Sequence, residues 1–459
     1  MNYLYLNTIF FLEMFKKIKL LLIIIVLSSL FYQNLKLFFN NFINDKNRYI
    51  QIVRKFIRNS TNLKIKIGIY TIGICNGGRA RMTAFLLNYL YRIKEFKLYL
   101  FTTNSKSSDD YIIPNDIKRF IINNNLIQII KKTKIDILIY QLVDTKEIQN
   151  LNNLKTPKVI FYLHSSIFLW IYSNFTYLKD LYSAYQKSKY VGNIIPFEND
   201  YLFKKWGINS IYMTNFITYE YYFVMPSDLT SKILLMIGRA YDKYKRFDLG
   251  IKAMKYIIKE VPESQLKVIS TVDGIQDLKN LTKSLNLEKN VNFVGFTSTP
   301  EIYFKNASLH IFPTICESFG LVLSETKIYG IPNIVLGLNY VSIAKGGTVI
   351  IYDDNPESLA KEAIKILTNK KYRNILGKNA RRSMKKYNNE NLIIKWINLI
   401  LSVNNGDNYY QLLRKKNKKI SDKEALSIIN SQIKLLKMRI PNLKNFSINK
   451  YKFKKKYYT

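Results

Sequence analysis

Glu317 to Gly337 reads ESFGLVLSETKIYGIPNIVLG, and the segment before it reads ASLHIFPTIC. The earlier segment is apolar and short, which predicts a buried strand delivering Glu317 into a loop. The spacing then predicts a helix that starts near Gly320 and runs to about Tyr329, followed by a Gly-Ile-Pro turn and a second strand. Strand, loop, helix and strand in that order form the repeating unit of a parallel α/β sheet. Two carboxylates, Glu317 and Glu325, stand on this unit with Ser318, Phe319, Gly320 and Leu321 between them. A carboxylate at the mouth of such a unit can hold sugar hydroxyls, and one a turn or more into the helix can take a ribose diol. The unpaired N–H groups of the helix start receive phosphate. A solvated loop glutamate and a surface helix glutamate are the plain alternative, and the surrounding pattern argues against it.

Upstream, ILLMIG (Ile233 to Gly238) predicts another short strand ending in glycine. Arg239 follows at once and Lys245 six residues later, and a helix is predicted from Phe247 with Phe247, Ile251, Met254 and Ile258 on one face. Cations where a strand turns toward a helix suit a diphosphate, with arginine as a fork and lysine as a point charge. In a chain with 71 Lys and Arg residues a merely basic loop is the competing reading.

In the first half, KIKIGIYTI (Lys64 to Ile72) predicts the opening strand of a parallel sheet. Gly77 and Gly78 then lead into a helix, RARMTAFLLNYLYRI. A glycine pair there allows close backbone approach and leaves an open helix start. His164 ends a further strand-like run, VIFYLH, whereas His310 lies inside the strand ASLHIF and reads as structural. Neither histidine has a partner at metal-ligand spacing. Asp109 and Asp110 do not form a DxD pattern, and no P-loop signature occurs.

Taken together, these segments resemble the E-x7-E motif and the Gly-Arg…Lys element of retaining glycosyltransferases with the GT-B fold, family GT4 in particular. The resemblance extends over about residues 64–404 and is strongest over 233–352. It implies two Rossmann-like domains facing across a cleft, with transfer from a nucleotide sugar. It implies that Arg239, Lys245 and the backbone around Gly238 and Ser318 to Leu321 hold the donor's diphosphate. Glu325 would hold the ribose, Glu317 the sugar hydroxyls, and His164 would face the sugar from the opposite wall, with Gly77 and Gly78 in the cleft. It further implies front-face attack assisted by the leaving phosphate, with no protein nucleophile, no cofactor and no metal. Two departures stand out: Arg246 occupies a position where many members have glycine, and Lys243 competes with Lys245. A non-catalytic, membrane-tethered binding protein of the same fold and a nucleotide-sugar epimerase are the rival readings.

At 459 residues the chain exceeds one ordinary core. The expected organisation is a leader at 1–60, an acceptor domain at 61–225, a donor domain at 230–404 and a basic tail at 405–459. The formal charge of +39 is spread among many Ile, Asn and Tyr residues, and no nucleic-acid-binding motif accompanies it. Two cysteines, Cys75 and Cys316, exclude a disulfide framework. The uncharged run from Leu20 to Tyr32, extended to about 18–35, is long enough for a single-pass anchor. Basic residues after it favour a cytosolic catalytic region, and an anchor suits a glycolipid, lipid-linked or other glycan acceptor. The tail reads as a solvated or membrane-surface appendage.

Overall fold

The computed structural model describes residues 64–75, 77–174, 177–219, 221–406 and 421–439. Two parallel sheets organise them. The first contains β1 (Ile65–Thr71), β2 (Phe96–Thr102), β3 (Lys118–Ile121), β4 (Ile137–Tyr140), β5 (Lys158–Leu163), β6 (Tyr190–Asn193) and β7 (Ile211–Tyr212), in the order β3-β2-β1-β4-β5-β6-β7. The second contains β8 (Ile233–Ile237), β9 (Gln265–Ile269), β10 (Val291–Phe293), β11 (Leu309–Phe312), β12 (Asn333–Leu336) and β13 (Thr348–Ile351), in the order β10-β9-β8-β11-β12-β13. Both orders reverse direction beside their first strand. The crevices therefore open at the carboxyl ends of β1 and β4 in one half and of β8 and β11 in the other, where doubly wound sheets bind ligands.

The strands read as nearly unbroken apolar runs because helices cover both faces. Ile67, Ile69, Leu138, Leu234, Leu235 and Ile334 are at most 1% exposed. Burial of each such side chain contributes about 1.5–3 kcal/mol. The helix Phe247–Glu260 turns Phe247, Ile251, Met254 and Ile257 onto the second sheet, and Ile258, expected on that face, is only partly buried. His310 is buried where β11 pairs with β12, opposite Asn333, and its Nδ1 lies 2.7 Å from the Asn333 Oδ1. Burial lowers its pKa to about 4, which fits a neutral structural side chain.

After the second sheet, the helix Asn389–Asn405 returns to the first half. The Asn404 carbonyl accepts from Lys158 Nζ (2.7 Å), and Trp396 packs edge-on against Tyr162 with ring centroids 4.9 Å apart. Asn389 at its start brackets the backbone of Ile217, accepting from the Ile217 N–H at 2.8 Å and donating to its carbonyl at 2.9 Å.

Two expectations change. Single-pass membrane attachment is withdrawn, because among the described residues no helix is long and apolar enough to cross a membrane. The run at 18–35 lies outside the described residues. Part of the supposed solvated tail is instead a packed helix, Asp422–Lys437, with Ile429, Gln432, Leu435 and Leu436 buried.

Candidate active site

The site is assembled from three loops at the carboxyl ends of β1, β8 and β11. The β8 loop ends in a 3-10 turn, Lys243–Lys245, and the β11 loop runs from Pro313 to Gly320. They are stitched together by backbone. The Ile315 N–H donates to the Tyr244 carbonyl (2.9 Å), and the Thr314 hydroxyl donates to the same oxygen (3.2 Å). This registration brings Lys245 Nζ to 2.8 Å from the Glu317 Oε2, although 72 residues separate them. Both side chains are mostly buried, at 15% and 18% exposure. The ammonium also sits over the rings of Tyr244 and Phe312, 5.2 and 5.3 Å from their centroids. Burial opposes the charge on Glu317, but Lys245 and the Ser318 N–H hold the carboxyl below its ordinary value. On Lys245, burial likewise opposes the charge and Glu317 outweighs it, raising the pKa. The pair is thus ionised on both sides. A further hydrogen bond, from the Glu317 N–H to the buried Tyr340 hydroxyl (2.9 Å), fixes the backbone.

The β11 loop then enters the helix Leu321–Ile328 through Gly320, whose φ of 81° is a left-handed conformation costly for other residues. The first turn closes at Ser324 N–H to Gly320 O (2.9 Å). The N–H groups of Leu321, Val322 and Leu323 precede that bond, and no side chain caps this start among the described residues. Phe319 behind them is buried against Tyr387.

Across the cleft, the β1 loop abuts this helix start. A Cβ placed on Gly77 would lie 3.7 Å from Arg239 Nη1, and one on Gly78 would lie 3.1 Å from Leu321 Cδ1. Arg239, adjoining Gly238 at the end of β8, is half exposed and held by Asp242 at 2.6 and 2.8 Å. Glu325 is 3% exposed. Its Oε1 accepts from Arg81 of the first half (2.9 Å) and from the Thr218 hydroxyl (2.7 Å).

His164 sits at the end of β5 in a polar chain. Its Nδ1 lies 3.2 Å from Asn215 Oδ1, its Nε2 lies 3.4 Å from the Gln141 amide nitrogen, and the Gln141 Oε1 accepts from Thr83 (2.9 Å). That arrangement makes the ring a neutral imidazole with its proton on Nδ1. Burial, then the charge of Arg79, lower its pKa to about 3, against the Asn215 hydrogen bond. Among the described residues His164 has no hydrogen bond to Glu317 or Glu325.

The structure therefore joins Lys245 to Glu317, and Gly77 and Gly78 to Arg239 and Leu321. It leaves Glu317 and Glu325 in separate networks. Sequence reasoning missed Arg79, Arg81, Thr218, Asn215 and Tyr340. Arg79 and Arg81 were in view within GGRARM, and their signal was two more cations beside the glycine pair. Arg79 has no carboxylate partner among the described residues, and burial and the charge of Arg239 lower its pKa. Cys316 is buried, which pushes its thiol up, while Cys75 is partly exposed. Among the described residues no group of three or more His, Cys, Asp or Glu side chains is placed to hold a metal ion.

Residues 220–383, which include Arg239, Lys245, Glu317 and Glu325, match the family model of glycosyl transferases group 1. Over 151 residues the chain is 26% identical to the poly(glycerol-phosphate) alpha-glucosyltransferase of Bacillus subtilis, which is 32% of this chain and 22% of that protein. The chain spans less than half the length of the curated relatives it matches. Among solved structures it is similar to sucrose-phosphate synthase from Thermosynechococcus elongatus, with a TM-score of 0.64 and 17% identity over 75% of this chain and all of that one. It is also similar to Anabaena HepE in complex with UDP and glucose, with a TM-score of 0.59 and 14% identity over 74% and 99%. Two Rossmann-like parallel-sheet domains in the GT-B arrangement are the shared fold.

Proposed function

We propose that this chain is a retaining glycosyltransferase that moves a sugar from a nucleotide sugar to a hydroxyl of a glycan or related polymer. The observation that carries the reading is the buried, ionised Lys245–Glu317 pair beside an uncapped helix start, with Arg239 and Gly77 alongside. Breaking the anomeric C–O bond leaves negative charge on the nucleoside diphosphate. Stabilising that charge is the main demand on the protein. Arg239, Lys245 and the N–H groups of Leu321 to Leu323 supply positive potential for it, with Gly238 and Ser318 leaving room for the chain to turn around it. Glu317 accepts from the sugar hydroxyls, and Phe319 packs behind the loop that holds it. Glu325 takes the ribose diol on the oxygen that Arg81 and Thr218 do not occupy. Neutral His164 lines the opposite wall, oriented by Asn215 and Gln141. No side chain is assigned as a nucleophile, so retention follows from attack on the face the diphosphate leaves, with that phosphate accepting the acceptor's proton.

The test is a panel of UDP-, GDP- and ADP-sugars, scored for thermal stabilisation and for transfer to poly(glycerol phosphate) and simple glycans. One donor that stabilises the wild type, loses its effect in Glu325→Ala and yields a product with the donor's anomeric configuration supports the reading. No stabilisation by any donor, from folded protein, overturns it.

A further inference from the structure

The helix Asp422–Lys437 lies beyond the stretch that matches the family, yet it covers the carboxyl ends of β11, β12 and β13, the edge on which the candidate site is built. Its apolar side would suffice to hold it there. Leu435 Cδ1 fills the space above Gly337 so closely that a Cβ on that residue would lie 2.1 Å away, and the φ of 65° there also favours glycine. Against this apolar seat, two polar contacts reach the loops that carry the Lys245–Glu317 pair.

The first is Gln432. It is fully buried, and its amide nitrogen donates to the Ile315 carbonyl. Since the Ile315 N–H donates to the Tyr244 carbonyl, one line of hydrogen bonds runs from the tail helix through the residue two before Glu317 to the residue before Lys245. A buried amide donor without a partner is costly, so the placement of this nitrogen against the carbonyl is directional rather than filling.

The second is Arg439, just after the helix. The nearly buried Asp354 accepts from Arg439 with one oxygen and from Arg246 with the other. Arg246 follows Lys245 and has φ 54° and ψ 43°, a left-handed conformation that is costly for a non-glycine residue. This is the position where the resemblance leads one to expect glycine. The strained residue is 4% exposed, and its guanidinium is clamped by Asp248 (2.9 Å) and Asp354. Ion pairing thereby offsets what glycine would supply by freedom.

We infer that Gln432 and Arg439 are positioning residues for the Lys245–Glu317 pair, with the tail helix acting as a clamp that sets the two loops against each other. Its significance for catalysis rests on the proposed role of that pair, while the clamp itself does not. The same helix also touches the helix Ile167–Asn174 of the first half. There Tyr172 lies edge-on to Tyr244 at 5.6 Å, so the clamp sits where the halves meet.

The test uses the full chain and the variants Gln432→Leu, Arg439→Gln and Arg439→Lys, with Leu426→Ala on the exposed side of the helix as control. Hydrogen–deuterium exchange is followed in peptides covering 243–249 and 314–320. Steady-state transfer is measured with the donor the wild type accepts, and the melting midpoint is recorded for each protein. Gln432→Leu and Arg439→Gln should each speed exchange in both peptides about tenfold, leave the β1–β5 peptides unchanged and lower kcat about tenfold with little change in KM. Arg439→Lys should recover part of both effects, and Leu426→Ala should match the wild type. Unchanged exchange in both peptides, or faster exchange everywhere with a collapsed melting midpoint, overturns the inference. A wild type inactive with every donor, but with the exchange pattern as described, overturns the reading of the pair and leaves the clamp standing.

Discussion

Glu317 and Glu325 sit on the same strand–helix unit but are held in opposite ways. Glu317 is fixed within one half of the molecule, by Lys245 from the neighbouring loop, by its own Ser318 N–H and by Tyr340. Glu325 is fixed from across the cleft, by Arg81 of the first half and Thr218 of the connecting segment. The difference teaches that the placement of Glu317 is set by folding of the second sheet and its loops. The placement of Glu325 is set by how the two halves meet. Motion of the halves should therefore tune nucleotide affinity more than the chemistry at Glu317.

The largest effect should come from breaking the intra-half pair. Lys245→Met should lower transfer by about 10²–10³-fold, the range for loss of one preorganised charge-stabilising group, as read by kcat. It also leaves a buried carboxylate unpaired, so stability should fall by about 3 kcal/mol in denaturant titration. Next, Glu325→Ala should weaken nucleoside diphosphate binding about 10–100-fold by calorimetry, as expected for hydrogen bonds to a charged group. Smaller still, Arg81→Met should raise KM for the donor severalfold while leaving kcat within about twofold, because it removes one of the two groups that hold the Glu325 Oε1 without removing the carboxylate. An Arg81→Met loss confined to kcat would break the comparison. The smallest effect is one of pH. The folded-state pKa of Glu317 is lowered, so its contribution is fully present above the ordinary carboxyl value of 4.5 and fades as pH falls through the lower folded value. The stability gap between wild type and Glu317→Gln should therefore be constant near neutrality and shrink below pH 4.5. A gap that widens in acid would contradict the ionised pair.

Much of this was legible in the chain. The order of ILLMIGR, Lys245 and ESFGLVLSE announces strand ends, cations, an uncapped helix start and two carboxylates, because periodicity and turn residues act locally. Three features were not legible. The Arg81–Glu325 bridge depends on the meeting of two sheets, and no local pattern encodes that. In a chain of 71 Lys and Arg residues one more arginine carries little signal. The tail helix was obscured by its basic flanks, although Ala425, Ile428, Ile429, Gln432 and Leu436 repeat at helical spacing. Arg246 shows a third case. It stands where the resemblance implies glycine, and the fold uses it as a buried, left-handed residue secured by two aspartates.

The most direct test is to titrate both the nucleoside diphosphate and the intact nucleotide sugar into wild type, Glu325→Ala and Glu317→Gln. Division of labour between the carboxylates predicts that Glu325→Ala weakens both ligands equally. Glu317→Gln should spare the nucleoside diphosphate and weaken the nucleotide sugar. Unchanged binding of both ligands in Glu325→Ala, or equal loss of both in Glu317→Gln, would contradict it.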